Sequence, residues 1–289
     1  MSAAVGAMAM PRSPAALAWR RFLGRPASVA GAVVVLLFVL VAVGAPLVAP
    51  FDPAQTSWSL VRKAPSWAHW MGTDENGRDV LSRVIWGARA SLMAGVVSVL
   101  IAAGIGVPTG LAAGFLGGVV DAVIGRIVDA MLACPFLILA IALAAFLGPA
   151  LTNAMIAIGV TAAPVFVRVA RGATIDAATN EYVEAARALG NPAWRVALRH
   201  VAPNIVPPVL VQATLAIAAA IIAEASLSFL GLGQQPPAPS WGSMLNSAQR
   251  FLTQAPWLAV FPGAAIFLAV LSFNLVGDGL RDALDPRRR

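Results

Sequence analysis

The sequence is poor in the residues on which most catalytic and metal sites depend. Its 289 residues include one lysine, two histidines and one cysteine, and only 11% are charged. A phosphate-binding P-loop needs Gly-Lys-Ser/Thr, but the one lysine, Lys63, lies in "LVRKAPSW". Because Cys134 is a single cysteine, the chain can form no internal disulfide. One cysteine and two histidines are also too few ligands for a dedicated zinc site. We therefore expect no enzyme activity and no cofactor in this chain.

Apolar residues are present in excess. They make up 59% of the chain and give a mean hydropathy of +0.81, whereas soluble domains are about 45–50% apolar and about 25% charged. The net charge of +7 comes almost entirely from arginine, and no soluble domain with a basic face is visible. The composition therefore indicates an all-α integral membrane protein, with lipid around it and no nucleic acid as a partner.

Six apolar runs are long enough to be membrane-spanning helices, which need roughly 20 residues each. They cover approximately residues 28–48, 92–115, 128–147, 151–169, 206–229 and 257–276. The first run follows a basic segment, as in a signal peptide. It is longer than the usual apolar region of roughly 7–15 residues, so we interpret it as an anchor that is retained.

The distribution of arginine and lysine predicts that both termini are inside. With six spans and an inner N-terminus, 14 of the 20 basic residues fall in inner segments, as the positive-inside rule requires. The predicted division is an inner N-terminal segment (1–27), a first span (28–48), an external loop (49–91), a core of five spans (92–276) containing an inner loop (170–204), and an inner tail (277–289).

A charged stretch, "EYVEAARALGNPAWRVALRHVAP" (181–203), interrupts the apolar runs on the inner side. It predicts two short helices: one capped by Asn180 and stopped by Gly190, the other capped by Asn191 and ended by Pro203. Such an amphipathic pair either lies on the membrane surface or docks a soluble partner. The small residues of the first helix favour docking, because they let another backbone approach closely.

The same stretch resembles the E-A-A-x3-G-x9-I-x-L-P loop of ATP-binding-cassette importer permeases. Matching positions are Glu184, Ala185, Ala186, Gly190 and Pro203. Where that motif has Ile and Leu this chain has histidine (position 200) and alanine (position 202), which we take as packing positions. Segments 71–92, 224–245 and 277–287 resemble dipeptide/oligopeptide/nickel permeases of the C type, so the resemblance covers about residues 15–287.

This resemblance implies a type I importer permease with six spans and with its loop forming a coupling helix for a cytoplasmic ATPase. It also implies a second related permease, two ATP-binding subunits, an extracytoplasmic substrate-binding protein, a bacterial inner-membrane location and a cargo of peptides or similar small solutes. Two alternatives remain: a stand-alone secondary transporter, for which Asp129 and Glu224 are the acids near membrane depth, and a membrane scaffold.

The remaining polar candidates lie toward the outer face. Asp74, Arg78 and Asp79 predict either a solvated loop with internal ion pairs or a set of residues that brace an external gate or contact a binding protein. Glu224, near the outer end of the fifth run, is expected to pair with Arg250 or a partner subunit, or to line the path.

Three further expectations concern single side chains. We expect Arg83 to extend to the membrane surface at the entry to the second span. Arg126 is placed to pair with Asp129 at i, i+3. Trp241 has the position of an interfacial anchor.

Overall fold

The computed structural model describes residues 14–284, so Arg12 and the terminal arginines at 287–289, which entered the orientation argument, lie outside the described residues. Within that part the regular structure is helical. The α-helices are α1 Pro14–Leu23, α2 Pro26–Val43, α3 Ala45–Val48, α4 Val80–Leu116, α5 Gly118–Ala133, α6 Phe136–Leu147, α7 Leu151–Ala178, α8 Glu181–Ala188, α9 Ala193–Val196, α10 Ala202–Phe229, α11 Trp241–Ala248 and α12 Trp257–Leu284. Two short 3-10 turns, Trp58–Leu60 and Gln249–Phe251, lie in the external segments.

Five described helices are long and apolar enough to cross a membrane, and the bent pair α5 and α6 makes a sixth if it is counted as one span. The expected continuous helix over 128–147 is wrong, because α5 and α6 meet at 91° across Cys134 and Pro135. Proline has no N–H and disfavours helical backbone at the residue before it. With 12 residues α6 is about 18 Å long, which is shorter than the hydrocarbon core of roughly 30 Å. Cys134 at this bend is half-buried.

The second and fifth spans are longer than their apolar runs. α4 begins at Val80 because the Asp79 carboxylate caps it, accepting the Ser82 N–H at 2.8 Å. α9 and α10 form one continuous helix, and the predicted helix end at Pro203 is wrong. A π-helical turn, in which the Ala202 N–H bonds to the carbonyl of Ala197 five residues earlier, carries the chain past the proline.

The two predicted asparagine caps act on the preceding helices instead. Asn180 donates its side-chain N–H to the carbonyl of Ala177 at 3.0 Å, at the end of α7. Asn191 donates to the carbonyl of Ala186 in α8 at 2.9 Å. Neither side chain caps the helix that follows it, so both satisfy carbonyl groups left free at a helix C-terminus.

The core is centred on the contact between α4 and α7. Glycines at every fourth position of α4, namely 106, 110 and 114, let the two backbones touch: a Cβ atom on Gly110 would lie 2.5 Å from the Val167 carbonyl oxygen. Small residues at this spacing are typical of closely packed membrane helices. α10 packs on the same pair, and Ile158, Phe166 and Leu227 are fully buried there.

The external loop and the segment between α11 and α12 meet at one end of the bundle. Arg62 donates to the Gln254 side chain at 2.8 Å, and the Trp257 indole donates to the Thr73 carbonyl at 3.2 Å. α8 packs against α4 and α7 in a separate apolar cluster.

Candidate functional site

The inner loop exposes apolar side chains on a segment too polar to lie within the bilayer. Tyr182, Leu189, Trp194 and Leu198 are 45%, 82%, 62% and 60% exposed. We call these four side chains, with the exposed backbone of α8 between them, the α8–α9 surface. A contiguous apolar patch exposed outside the membrane marks an interaction site, and tryptophan is among the residues that contribute most to protein–protein contacts.

α8 is fixed to the bundle from its inner side. Val183 is fully buried and Ala186 is 5% exposed, and both pack with Ala170 of α7, Val201 before α10 and Phe115 of α4. The Arg187 guanidinium lies 5.3 Å from the centre of the Phe115 ring. Because one short helix contacts three spans, a force on α8 acts on all three at once.

The predicted coupling residues divide between the two sides of this loop. Glu184, Ala185 and Gly190 are exposed beside the α8–α9 surface, whereas Ala186 faces the core. Pro203 is exposed but lies further along, in the first turn of α10. Gly190 adopts φ +76°, a conformation that favours glycine, and it ends α8 as expected. Glu184 has no intrachain ion pair among residues 14–284, so its carboxylate is open to a partner.

The two departures from the importer motif sit at the junction of α9 and α10. His200 and Ala202 are both half-buried. His200 belongs to the π-helical turn, and its Nδ1 atom is buried without a hydrogen-bond partner. The half-burial agrees with the expectation that these positions pack.

The predicted outer cluster is buried, so its interpretation as a solvated loop is wrong. Asp74, Arg78 and Asp79 are 5%, 7% and 3% exposed. The expected internal ion pairs are present: Arg78 Nε lies 2.7 Å from Asp74 Oδ2, and Glu75 bonds to the same guanidinium at 3.0 Å. Glycines at positions 72 and 77 supply the positive φ angles that fold the chain around these charges.

Arg83 does not extend to the membrane surface. It is 6% exposed and donates to the carbonyls of Pro53 at 2.9 Å and Pro237 at 3.3 Å. The residue thereby joins the external loop to the segment after α10. Asp79 braces the external loop from within, since its carboxylate also bonds to the His69 ring at 2.9 Å.

The external loop presents tryptophans that the sequence analysis did not single out. Trp58, Trp67 and Trp70 are 84%, 96% and 70% exposed. A turn supports them, in which the Ser66 N–H bonds to the His69 carbonyl at 2.9 Å. Tryptophan is common at a bilayer interface. The sequence therefore gave no reason to distinguish these three residues from membrane anchors.

Glu224 is fully buried and does not pair with Arg250, which is exposed. Its two carboxylate oxygens accept the hydroxyls of Ser91 at 2.9 Å and Ser228 at 2.6 Å. The carboxylate therefore links α4 to α10 inside the chain, and it lines no open path within it. Hydrogen bonds of this kind are what a polar group at membrane depth requires.

Trp241 is buried rather than interfacial. Its indole donates to the Val84 carbonyl at 3.0 Å, and its ring meets Phe38 edge-on with centroids 5.5 Å apart. An irregular segment follows α10 and brings this side chain back onto the bundle to begin α11.

The acids toward the inner face are held by arginines of α7. Asp129 pairs with Arg168 at 2.8 Å, so the predicted pair with Arg126 is wrong. Arg171 binds the Asp121 carboxylate with two donors. Asp129 and Arg168 are both more than half exposed, which does not fit a buried ion-coupling site. Within residues 14–284 no three His, Cys, Asp or Glu side chains are grouped to hold a metal ion.

Two family models match the chain. Residues 106–289 match the binding-protein-dependent transport system inner membrane component. Residues 13–65 match the N-terminal TM domain of oligopeptide transport permease C.

Curated relatives are similar over nearly the whole chain. A dipeptide transport system permease protein of Alkalihalophilus pseudofirmus is 43% identical over 96% of this chain and 91% of its own length. A glutathione transport system permease protein of Pectobacterium atrosepticum is 44% identical over 96% and 92%. A di/tripeptide transport system permease protein of Pseudomonas aeruginosa is 44% identical over 95% and 93%.

Among solved structures, an inward-facing form of the MetNI methionine ABC transporter has a chain of the same fold. The TM-score is 0.59 at 20% identity, over 70% of this chain and 96% of that one. Because the curated relatives are named as permease proteins of transport systems and the matching family model is that of a binding-protein-dependent system, the alternative of a stand-alone secondary transporter is not supported.

Proposed function

The chain belongs to the family of binding-protein-dependent transport system inner membrane components, and we propose that its α8–α9 surface docks a cytoplasmic ATP-binding subunit. It is a multi-pass permease subunit of an ATP-binding-cassette importer in the inner membrane. ATP hydrolysis is assigned to the docked partners, since no P-loop lysine exists in this sequence.

The observation that carries the proposal is the exposure of Leu189 and Trp194 beside the open carboxylate of Glu184. The exposed alanines of α8, Ala185 and Ala188, keep the ridge between them low, so that another protein's backbone can approach. Leaving such side chains in water is unfavourable by about 25 cal/mol per Å² of apolar surface. A partner with a complementary groove and a basic rim removes that cost.

Coupling then proceeds through the chain's own packing. When the ATP-binding subunits close, α8 moves with them, and Val183 and Ala186 transmit the displacement to α4, α7 and α10. The helix from Ala193 to Phe229 is continuous, so its inner end and its outer end at Glu224 move as one body. ATP acts by binding one arrangement of the partners more tightly than the other.

We assign the remaining partners by the side on which each surface lies. A second, related permease completes the translocation path, and two ATP-binding subunits serve the pair. On the outer face an extracytoplasmic substrate-binding protein docks on the loop that carries Trp58, Trp67 and Trp70. The buried charges Asp74, Arg78 and Asp79 keep that loop rigid for docking. Coupling is confined to the inner loop, 170–204.

For the cargo we propose small peptides. The relatives' names specify dipeptides, di- and tripeptides and glutathione, and glutathione is itself a peptide of three residues. We assign selection among peptides to the external binding protein.

The docking proposal is tested with the doubly substituted chain Leu189→Ser/Trp194→Ala. Tagged chains are purified from membranes of the native cells, and co-purifying subunits are detected with an azido-ATP photoprobe. The expected result is a loss of labelled protein by at least roughly tenfold, because two exposed anchor residues each contribute about 1–2 kcal/mol at such contacts. Glu184→Lys is expected to act in the same direction.

The matched control is Leu252→Ser, which removes another exposed leucine (52%) from the outer face. This variant should retain the labelled subunits. If the double variant retains them as well as the control does, the α8–α9 surface is not the docking site.

A further inference from the structure

The N-terminal helix α1 has three differently composed sides. Phe22 is 9% exposed and packs against Ser28 and Gly279, the latter in α12. Trp19 and Leu23, one turn apart on the adjacent side, are 62% and 50% exposed. We call these two side chains the α1 apolar flank. Positions three and four apart share a helix face, so the flank is continuous and lies next to the side that holds the helix to the bundle.

The remaining side of α1 carries positive charge. Arg20 is exposed, and helical spacing turns it away from the side of Phe22. The first 27 residues contain four arginines and no acidic residue. At this end Asp282 of α12 pairs with Arg25, and Asp278, one turn earlier in α12, is exposed. The exposed Arg281 on α12 adds a further cation.

The connection to α2 fixes the level of α1 relative to the bilayer. α1 ends at Leu23 and α2 begins at Pro26. α2 is apolar apart from Ser28, and only 17% of its span is buried in the protein, so most of its surface faces acyl chains. The ion pair between Arg25 and Asp282 holds the junction against α12. The α1 apolar flank therefore lies where the inner leaflet begins.

We propose that α1 anchors the chain to the anionic phospholipids of the inner leaflet. Trp19 and Leu23 enter the boundary between headgroups and acyl chains, and Arg20 binds the phosphate groups above it. An apolar side beside a basic side is what a helix lying in the membrane interface requires, and negative surface potential attracts arginine near the bilayer. This inference stands independently of ATPase docking.

The anchor acts on the last span as well as on α1. Phe22 of α1 contacts Gly279, because a Cβ atom on that glycine would lie 3.0 Å from the Phe22 ring. This close packing leaves no room for α1 to shift alone. A leaflet that holds α1 therefore also holds the inner end of α12. This end of α12 is far in sequence from the coupling loop.

The depth of the flank is measured on the full chain with one fluorescent label. Cys134→Ser removes the one cysteine, and Leu23→Cys then carries an environment-sensitive dye. In vesicles of phosphatidylcholine mixed with phosphatidylglycerol we expect a blue-shifted emission and protection from iodide. Leu189→Cys is the matched aqueous control and should be fully quenched, and Trp19→Cys repeats the test if Leu23→Cys does not fold.

Two outcomes of this labelling would overturn the proposal. One is quenching at position 23 equal to that at position 189, which would leave α1 in water. The other is protection that appears only after ATP-binding subunits are added, because a protein would then cover the flank.

The preference for anionic lipid is measured with Arg20→Gln in the full chain. Native mass spectrometry compares retained phosphatidylglycerol with retained phosphatidylcholine after extraction from the mixed vesicles. Losing one arginine near an anionic surface, about 1 kcal/mol, predicts a ratio about fivefold lower at this site. Arg250→Gln, on the outer face, should leave the ratio unchanged. An unchanged ratio in Arg20→Gln would contradict the headgroup assignment.

Discussion

Single buried polar side chains hold the outer half of this permease together. Glu224 joins α4 to α10 through serine hydroxyls, and Arg83 joins the external loop to the segment after α10. Each group is inaccessible to solvent and fully engaged, so the effect of changing it is structural. Polar groups at such depth are tolerated because every one finds a partner.

Replacing Glu224 separates a structural role from a role in cargo selection. Glu224→Ala leaves two buried hydroxyls without an acceptor, at roughly 1–3 kcal/mol each, and should lower the thermal unfolding temperature of the purified chain markedly. Glu224→Gln keeps an acceptor oxygen and should lower it less. Neither variant should alter which peptides are taken up. A changed peptide preference in Glu224→Gln would place this residue on the path.

Arg83→Met tests the joint between the external segments. Losing its bonds to two carbonyl oxygens should lower the free energy of local opening of the loop by about 1–2 kcal/mol. The open population should then rise by a factor of roughly 5–30. The measurement is the rate of trypsin cleavage after Lys63, which is exposed in that loop. The control, Arg89→Met, removes an exposed arginine whose guanidinium lies 5.2 Å from the centre of the Trp86 ring. Equal rates in the two variants would contradict the joint.

Among the helices, the sequence predicted which segments are spans better than it predicted where they end. Apolar runs located each span because burial in lipid demands them. The boundaries depended on local bonds: the Asp79 cap extends α4, and the π-helical turn carries α10 past Pro203. The sequence shows Pro135, but a proline alone does not predict a bend. Neighbouring helices decide whether a proline bends a span or is tolerated, as Pro108 is within α4.

The glycine contact between α4 and α7 gives a test with a matched pair in one helix. Gly110→Ala places a methyl group against the Val167 backbone and should destabilise the chain by about 1–3 kcal/mol through overpacking. Gly104→Ala, six residues earlier in the same helix, meets no atom within 4 Å and should leave stability unchanged or slightly raised. Denaturation in detergent distinguishes the two. Equal losses would mean that close approach of the backbones is not what these glycines provide.

For the whole molecule, the sequence predicted on which side of the membrane the proposed docking loop lies and which residues form it. The solvent exposure of its side chains could be read only from the structure. The arginine distribution placed 181–203 inside, and "EAARALG" marked the helix. The exposed side chains Leu189 and Trp194 and the buried charges around Asp74 were not predictable, because the exposure of a side chain depends on which distant segment packs over it. For the same reason, the predicted pairing of Glu224 with Arg250 and of Asp129 with Arg126 was wrong.

The central claim is that this chain converts motion of ATP-binding partners into transport and has no energy source of its own. The most direct test is uptake of a radiolabelled dipeptide into proteoliposomes. The chain is reconstituted alone, or as the complex purified with its permease partner, ATP-binding subunits and binding protein. We predict uptake only for the complex, only with ATP inside the compartment that holds the ATP-binding subunits, and its loss in Leu189→Ser/Trp194→Ala. Dipeptide uptake by the chain alone, driven by an ion gradient, would contradict the account.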